Sequence, residues 1–286
     1  MNGPTTGPTT GPTTGSLRVN GATLHYEVRG QGPLLLLIPG GAGGAASLDG
    51  IADGLAATYT VAAYDPRGMS RSVLDDPEAE QHVAEHADDA FRMLELLSPD
   101  EPARVLGISS GAITALHLLT TRPERLTRVV AHEPPVVEVL PDAAEHRALV
   151  ARVQETFRTQ GLMPAMAEFA AGLKADGGDT APRPEMQLPP QAAARAEQTM
   201  ANLPYFVGRI VAPFMSYAPD TARLAALTDR LVLAGGRDSR GELSYRPAAF
   251  LAERFGTELL HFPGGHTGTT THPAEFADIL LKTLTP

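Results

Sequence analysis

The segment Gly107-Ile108-Ser109-Ser110-Gly111 carries the strongest chemical signal in the chain. It fits the pattern Gly-x-Ser-x-Gly, with a predicted strand before it and a predicted helix after it. Small residues on both sides of the serine let strand and helix approach closely, so that the hydroxyl projects from a sharp turn. The pattern therefore predicts Ser109 as a nucleophile. Ser110 is the weaker candidate, because it falls inside the first turn of the helix.

A serine hydroxyl becomes a good nucleophile only beside a base that is itself oriented by an acid. His266 follows a predicted strand on a glycine-flanked loop and is the candidate base. Asp238 follows another strand and is the candidate acid, with Glu133 as the second candidate because it also follows a strand. The chain order Ser109, Asp238, His266 is the order expected for such a triad.

The glycines after the third predicted strand could supply a backbone N–H to a developing oxyanion. Residues 39–44 read Pro-Gly-Gly-Ala-Gly-Gly and satisfy neither of the glycine patterns that bind nucleotide phosphates. A zinc site formed by His261, His266 and His272 would lack a spacing typical of zinc ligands. We therefore expect neither a cofactor nor a metal ion.

Composition excludes several other classes of function. The chain has 286 residues, a formal net charge of −10 and no cysteine, and 43% of it is hydrophobic. An acidic chain without a basic cluster predicts no nucleic-acid partner and no docking on an anionic membrane. The longest strongly apolar run, residues 34–39, is too short to span a bilayer, and no signal peptide is recognisable. These features favour a cytoplasmic protein and leave its oligomeric state open.

The elements that must position the candidate residues alternate along most of the chain. Residues 1–16 contain three GPTT units, which predict a flexible tail because they offer no apolar surface to bury. From residue 17 onward, strands alternate with helices, which indicates a mostly parallel sheet covered on both faces. Strands are expected at 17–20, 23–28, 34–38, 59–64, 104–108, 126–131, 231–234 and 258–262, and helices at 45–57, 82–97, 110–120 and 273–284.

Residues 135–227 interrupt this alternation. Helices are predicted there at 142–159, 162–174, 189–202 and 204–217, without a convincing strand. The stretch is rich in methionine and aromatic residues, and most of them are expected to form its own core. A few are expected to line an apolar substrate pocket: Met163, Met166, Phe169, Met186, Met200, Tyr205, Phe206, Phe214, Met215 and Tyr217 are the candidates.

With these residues in place, the chain resembles members of the α/β-hydrolase fold superfamily. The resemblance implies a mostly parallel sheet of about eight strands, a core of residues 17–134 and 228–286, and a helical cap of residues 135–227. It also implies that the backbone N–H groups of Gly41 and Ser110 form the oxyanion hole, although this chain has Pro39-Gly40 where the family usually has His-Gly. The matching segments are residues 38–41, 64–72, 107–111, 236–238 and 264–266.

The expected function is hydrolysis of a small hydrophobic carboxylic ester or lactone through an acyl-enzyme on Ser109. Epoxide and haloalkane hydrolases of this superfamily use a carboxylate nucleophile, which Ser109 is not. Two alternatives share the same triad, namely a carbon–carbon bond hydrolase and a cofactor-free haloperoxidase or perhydrolase. A receptor-like protein that binds a small molecule without turnover is an alternative of another class, since fold alone does not fix function.

Overall fold

The protein folds around one nine-stranded sheet in the computed structural model, which describes residues 11–173 and 190–285. The strands run in the order β1-β2-β4-β3-β6-β7-β8-β9, and β5 pairs with β2. Pairing is parallel from β4 through β9 and antiparallel where β2 meets β1, β4 and β5. The strands are β1 (Thr13–Val19), β2 (Ala22–Arg29), β3 (Leu34–Ile38), β4 (Thr60–Tyr64), β5 (Val73–Leu74), β6 (Ala103–Ile108), β7 (Leu126–His132), β8 (Leu231–Gly236) and β9 (Leu260–Phe262).

Helices cover both faces of this sheet, as predicted. The α-helices are α1 (Asp49–Leu55), α2 (Val83–Leu97), α3 (Ser110–Thr121), α4 (Ala143–Gln160), α5 (Leu162–Leu173), α6 (Pro190–Tyr205), α7 (Val211–Met215), α8 (Thr221–Ala225), α9 (Arg246–Phe255), α10 (Gly268–Thr271) and α11 (Pro273–Leu284). Short 3₁₀ segments lie at Ala45–Leu48, Pro123–Arg125, Val137–Val139 and Arg237–Ser239, and one π-helical turn spans Phe206–Ile210. Helices α2 and α3 lie on one face, whereas α1 and α11 lie on the other.

Strand β3 illustrates why a continuous apolar run becomes a central strand. Its residues alternate between two separate buried clusters: Leu34, Leu36 and Ile38 belong to one, and Leu35 and Leu37 to the other. A strand that is buried on both faces has no solvent side to occupy with polar residues. The run therefore fixes β3 in the centre of the sheet, and the glycine loop after it follows at the sheet's carboxyl edge.

A helical region is inserted between β7 and β8, as the sequence predicted. It contains α4 to α8 and has its own buried apolar cluster, to which Val153, Phe169 and Val211 belong. The π-helical turn directly follows α6, whose last turn contains Pro204. Because proline lacks an N–H, it leaves one helical hydrogen bond unmade, and regular α-helix resumes only at α7.

The observed elements differ from the predicted ones at several places. Strand β1 begins at Thr13, inside the segment predicted as a flexible tail, because residues 13–16 pair with residues 25–28 of β2. Residues 1–10, which include the first two GPTT units, lie outside the described residues. The two-residue strand β5 and helices α8, α9 and α10 were not predicted. Among the described residues, no helix combines the length and the apolar character needed to cross a membrane.

The approach of α3 to β3 can be tested at Gly111. A Cβ at this position would collide with the carbonyl oxygens of Ile38 and Pro39. We expect Gly111→Ala to lower the free energy of unfolding by at least about 2 kcal/mol, because neither backbone can move aside cheaply. Gly54→Ala is the matched control: its Cβ would meet only Ala277 at 3.4 Å, and alanine favours the helix by about 0.5–1 kcal/mol.

Urea unfolding followed by circular dichroism measures both changes. Equal effects of the two substitutions would contradict the close backbone contact at the elbow.

Candidate active site

Ser109 occupies a strained turn between β6 and α3. Its φ of 52° and ψ of −120° are unusual for a residue with a side chain. The Ser109 N–H donates to the carbonyl oxygen of His132 at 2.9 Å, so the turn is tied to the end of the neighbouring strand β7. The predicted strand–serine–helix geometry is therefore present, and Ser109 lines a cavity at this edge of the sheet.

The two predicted oxyanion donors lie side by side. Ser110 is the first residue of α3, so its N–H has no acceptor within the helix. Gly41 has a φ of 58°, a conformation that glycine adopts without strain, and its N–H donates to Ser110 Oγ at 3.0 Å. The serine hydroxyl is thus the present acceptor of the Gly41 N–H, a contact that the sequence did not indicate.

Glu133 is the residue that contacts the candidate base. It directly follows β7 with a φ of 49°, and its side chain is fully buried. His266 Nδ1 lies 2.6 Å from Glu133 Oε2. The other carboxylate oxygen accepts hydrogen bonds from the Gly236 N–H at 2.7 Å and from Ser239 Oγ. Both oxygens of this buried carboxylate therefore have donors.

The structure corrects the expected partner of His266. Asp238 was the first candidate, but its side chain is exposed, and within the described residues it makes no hydrogen bond or ion pair. Its backbone N–H donates to the Gly264 oxygen at 3.0 Å. The turn at Arg237–Ser239 thus directs Ser239 inward and Asp238 outward. The second candidate, Glu133, holds the position because it lies one strand closer to Ser109 and its side chain is longer.

The surroundings of Glu133 keep it ionised. Burial alone would raise the pKa of its carboxyl, but the hydrogen bonds from His266 and Ser239, together with the electrostatic influence of the His132 and His266 imidazoles, lower the pKa to about 2. The side chain is therefore a carboxylate at neutral pH, which fixes the Nδ1 proton of His266 towards it. The remaining ring nitrogen, Nε2, is then free of that proton in the neutral imidazole.

The neighbouring His132 is buried between two aromatic rings. Its ring centroid lies 5.7 Å from that of Phe262 and 5.4 Å from that of Phe276, both at steep angles. Burial lowers the pKa of His132 to about 4 despite the nearby Glu133. His132 is therefore uncharged at neutral pH, so His266 is the imidazole that pairs with the carboxylate.

Ser109 and His266 line the same cavity, although no hydrogen bond joins Ser109 Oγ to the imidazole in the described part of the chain. Glycines bring the histidine loop close to β8: a Cβ at Gly236 would come within 2.6 Å of the Gly265 backbone. Hydrogen bonds between nucleophile and base often tighten only when substrate binds. The arrangement therefore brings together the predicted nucleophile, base and oxyanion donors at one edge of the sheet.

The cavity has a volume of about 360 Å³ and is mostly apolar. Its polar groups, besides the candidate catalytic ones, are hydroxyls such as those of Ser47, Thr199 and Thr267. None of the described residues that line it is Asp, Glu, Lys or Arg. The inserted region provides most of the apolar wall: Phe169, Leu173, Phe206, Ile210, Val211, Phe214 and Met215.

The structure shows which of the methionine and aromatic residues predicted for the inserted region line the cavity. Phe169, Phe206, Phe214 and Met215 line the cavity, whereas Met163 and Met200 are exposed at 64% and 52%. Met186 lies outside the described residues. The described residues contain no cluster of three or more His, Asp or Glu side chains suited to a metal ion, and His261 instead contacts the Tyr245 hydroxyl at 2.8 Å.

Comparison with known proteins identifies the family to which this fold and this candidate site belong. The family model described as alpha/beta hydrolase fold matches residues 33–172. An uncharacterized hydrolase of Bacillus subtilis (strain 168), YraK, is 33% identical over 271 residues, which are 93% of this chain and 93% of the relative. The chain belongs to the α/β-hydrolase superfamily, and it is a hydrolase of that family.

Two further similarities are less extensive or less close. A zearalenone hydrolase of Bionectria ochroleuca is 36% identical over 118 residues, which are 41% of this chain and 45% of that protein. The crystal structure of a bromoperoxidase from Bacillus anthracis superposes with a TM-score of 0.74 at 21% identity, covering 95% of this chain and 99% of that one. At this identity the likeness to the bromoperoxidase shows a shared fold only.

The contact between Glu133 and His266 predicts unequal effects of two amide substitutions. Glu133→Gln should lower kcat for hydrolysis by about 10²–10⁴-fold, because an amide cannot stabilise the imidazolium and can select the wrong tautomer. Asp238→Asn should change kcat by less than about twofold, since exposed substitutions away from a site are usually neutral. Steady-state kinetics of both purified variants checks this, and a larger loss for Asp238→Asn would contradict the assignment.

The depressed pKa of Glu133 also predicts a pH dependence of stability. A carboxyl with a folded-state pKa of about 2, against an ordinary value of 4.5, stabilises the fold above pH 4.5 and loses that contribution as the pH falls towards 2. The difference in unfolding free energy between wild type and Glu133→Gln should therefore shrink over this range. Urea unfolding at a series of pH values measures it, and a difference that stays constant would contradict the ionised carboxylate.

Proposed function

We propose that the protein is a serine hydrolase of uncharged, largely apolar carboxylic esters or lactones. The observation that carries the proposal is the hydrogen bond from His266 to the buried Glu133, with His266 and Ser109 facing one cavity. A buried carboxylate that holds an imidazole beside a strained serine is the arrangement needed to activate a hydroxyl.

The proposed reaction proceeds in two acyl-transfer steps. Ser109 Oγ attacks the carbonyl carbon of the substrate while its proton passes to His266 Nε2, and Glu133 stabilises the imidazolium that forms. The carbon–oxygen bond to the leaving alcohol then breaks, and the alcohol takes that proton. Water, deprotonated by His266, attacks the acyl-enzyme and releases the acid with Ser109 restored. In a lactone, acid and alcohol remain in one molecule.

The negative charge of each tetrahedral intermediate is stabilised by two backbone donors. The Gly41 N–H donates to Ser110 Oγ at 3.0 Å, and the Ser110 N–H, in the first turn of α3, has no acceptor within its helix. A substrate oxygen that displaces the serine hydroxyl accepts from Gly41 in its place. A donor of this kind typically contributes about 10²–10³-fold in rate.

The cavity lining supports an uncharged substrate. Apart from His266, the described lining residues offer only apolar and hydroxyl side chains, so a charged group buried there would lack an ionic partner. The partial similarity to a zearalenone hydrolase makes zearalenone a compound to test, since 118 residues match at 36% identity. That similarity covers less than half of either chain and supports only the choice of test compound.

The test combines a substrate panel with modification of Ser109. We expect the kcat/KM of the wild type to be at least about tenfold higher for p-nitrophenyl butyrate and for neutral lactones than for p-nitrophenyl hemisuccinate. The free carboxylate of the hemisuccinate would be buried in the cavity without an ionic partner. Zearalenone is included in the panel. Ser109→Ala should lose at least about 10³-fold in kcat, whereas Ser110→Ala should retain a measurable share, since its backbone N–H remains.

A fluorophosphonate should modify Ser109, and fragment-ion mass spectrometry distinguishes it from Ser110. Labelling of Ser109 without turnover of any ester or lactone would favour a binding protein. Turnover confined to carbon–carbon substrates or to peracid formation would favour one of the alternatives with the same triad. An active Ser109→Ala variant would contradict the proposal altogether.

A further inference from the structure

The loop that carries Gly41 contains four glycines in residues 40–44 and has little intrinsic stiffness. One internal hydrogen bond closes it, from the Gly43 N–H to the Gly40 oxygen at 3.0 Å. Directly after these residues, the Ala45 N–H donates a hydrogen bond to the buried Asp65 carboxylate at 2.7 Å. The Gly41 N–H itself donates to Ser110 Oγ at 3.0 Å, a bond that is lost when a substrate oxygen takes the place of the hydroxyl. Its direction then depends on what holds the remaining part of this loop.

Asn202, on α6 of the inserted region, holds that part. Its side-chain Nδ2 donates to the carbonyl oxygen of Ala42 at 2.8 Å, one residue beyond Gly41. The same nitrogen lies 2.8 Å from Ser70 Oγ, and Asn202 Oδ1 accepts from the Ser70 N–H at 2.8 Å. Only 6% of Asn202 is exposed, so these contacts are shielded from water.

The contacts define the orientation of the amide. Oδ1 faces an N–H and Nδ2 faces a carbonyl, whereas the flipped amide would place Oδ1 against the Ala42 oxygen and Nδ2 against the Ser70 N–H. Ser70 has a φ of 53°, which is unusual for a serine, and the amide supports that conformation by binding its N–H and its hydroxyl. Asparagine supplies the donor and the acceptor together, which neither leucine nor aspartate can do.

Asn202 does not line the cavity, although another residue of its helix does. Thr199, one turn earlier on α6, lines the cavity, whereas Asn202 does not. Residues three apart lie on the same side of a helix, so α6 both borders the substrate space and binds the glycine loop. Loss of the Asn202 amide would disturb the loop without removing a contact to substrate.

We propose that Asn202 is a positioning residue that fixes the Gly41 N–H for the oxyanion, an inference that rests on the proposed hydrolase function. Preorganised donors contribute to the rate because they need no reorganisation when negative charge develops. A displacement of a positioning group such as this N–H by about 1 Å can lower the rate by about 10²-fold. The effect should therefore fall on the transition state and leave binding of the ground-state substrate nearly unchanged.

The test uses two variants of the full chain with the best neutral ester. Asn202→Leu removes all three hydrogen bonds at similar volume, and Asn202→Asp keeps an acceptor for the Ser70 N–H but cannot donate to Ala42 when ionised. We expect kcat to fall by about 10- to 100-fold in both, with KM changed by less than about twofold. The inhibition constant of a trifluoromethyl ketone, whose tetrahedral adduct places an oxyanion at Gly41, should rise by the same factor, and that of the product acid should not.

Arg195→Gln is the matched control on the same helix. The Arg195 guanidinium binds Asp49 at 2.8 Å and so ties α6 to α1, without a contact to the glycine loop. If Asn202 merely docked the helix, loss of this ion pair should reduce kcat in the same way. We expect Arg195→Gln to keep kcat and the ketone inhibition constant within about twofold of wild type, whatever its effect on thermal unfolding.

Three results would overturn the proposal. One is a folded Asn202→Leu variant with wild-type kcat and ketone inhibition, and should that variant not fold, the same result for Asn202→Asp decides. A second is an equal loss of kcat in Arg195→Gln. The third is a wild type that hydrolyses nothing and forms no ketone adduct at Ser109, which would contradict the hydrolase function itself. An active, ketone-inhibited wild type with unaffected Asn202 variants contradicts only the positioning role.

Discussion

A carboxylate can remain ionised inside a protein only where hydrogen-bond donors replace the water it has lost, and the arrangement around Glu133 depends on this constraint. Three donors from two different segments meet there: the imidazole of His266, the N–H of Gly236 and the hydroxyl of Ser239. They bring the turn after β8 and the loop after β9 together at the end of β7. The candidate site is therefore organised around the acid as much as around the nucleophile.

The sheet provides the frame in which this meeting is possible. Parallel strands end at one edge, so residues that follow β6, β7, β8 and β9 become neighbours although they are distant in sequence. At that edge the backbone is strained at Ser109 and at Glu133, which both have positive φ values. The surrounding contacts, such as the bond from the Ser109 N–H to His132, maintain conformations that the isolated residues would avoid.

The sequence predicted the parts of the site that depend on local pattern. A strand, a small-residue turn and a helix are adjacent in the chain, and so Ser109, Ser110 and the glycine loop could be placed before the fold was known. The acid could not be chosen in this way. Asp238 and Glu133 both follow strands, and the choice depends on which side chain of the Arg237–Ser239 turn faces inward. Asn202 gave no signal either, because it meets Ala42 across 160 positions of sequence.

The π-helical turn at Phe206–Ile210 makes the cavity wall tolerant of a change in chain length. A turn of this kind holds one residue more than the α-helical turn it replaces, so it takes up that residue with little net rotation of the helix that follows. Phe214 and Met215, which line the cavity after this turn, would therefore keep nearly the same direction if one residue of the turn were deleted. A deletion within α7 instead would rotate the side chains beyond it by about 100°. Homologous chains that differ in length by one residue at the π-turn would thus retain this part of the wall.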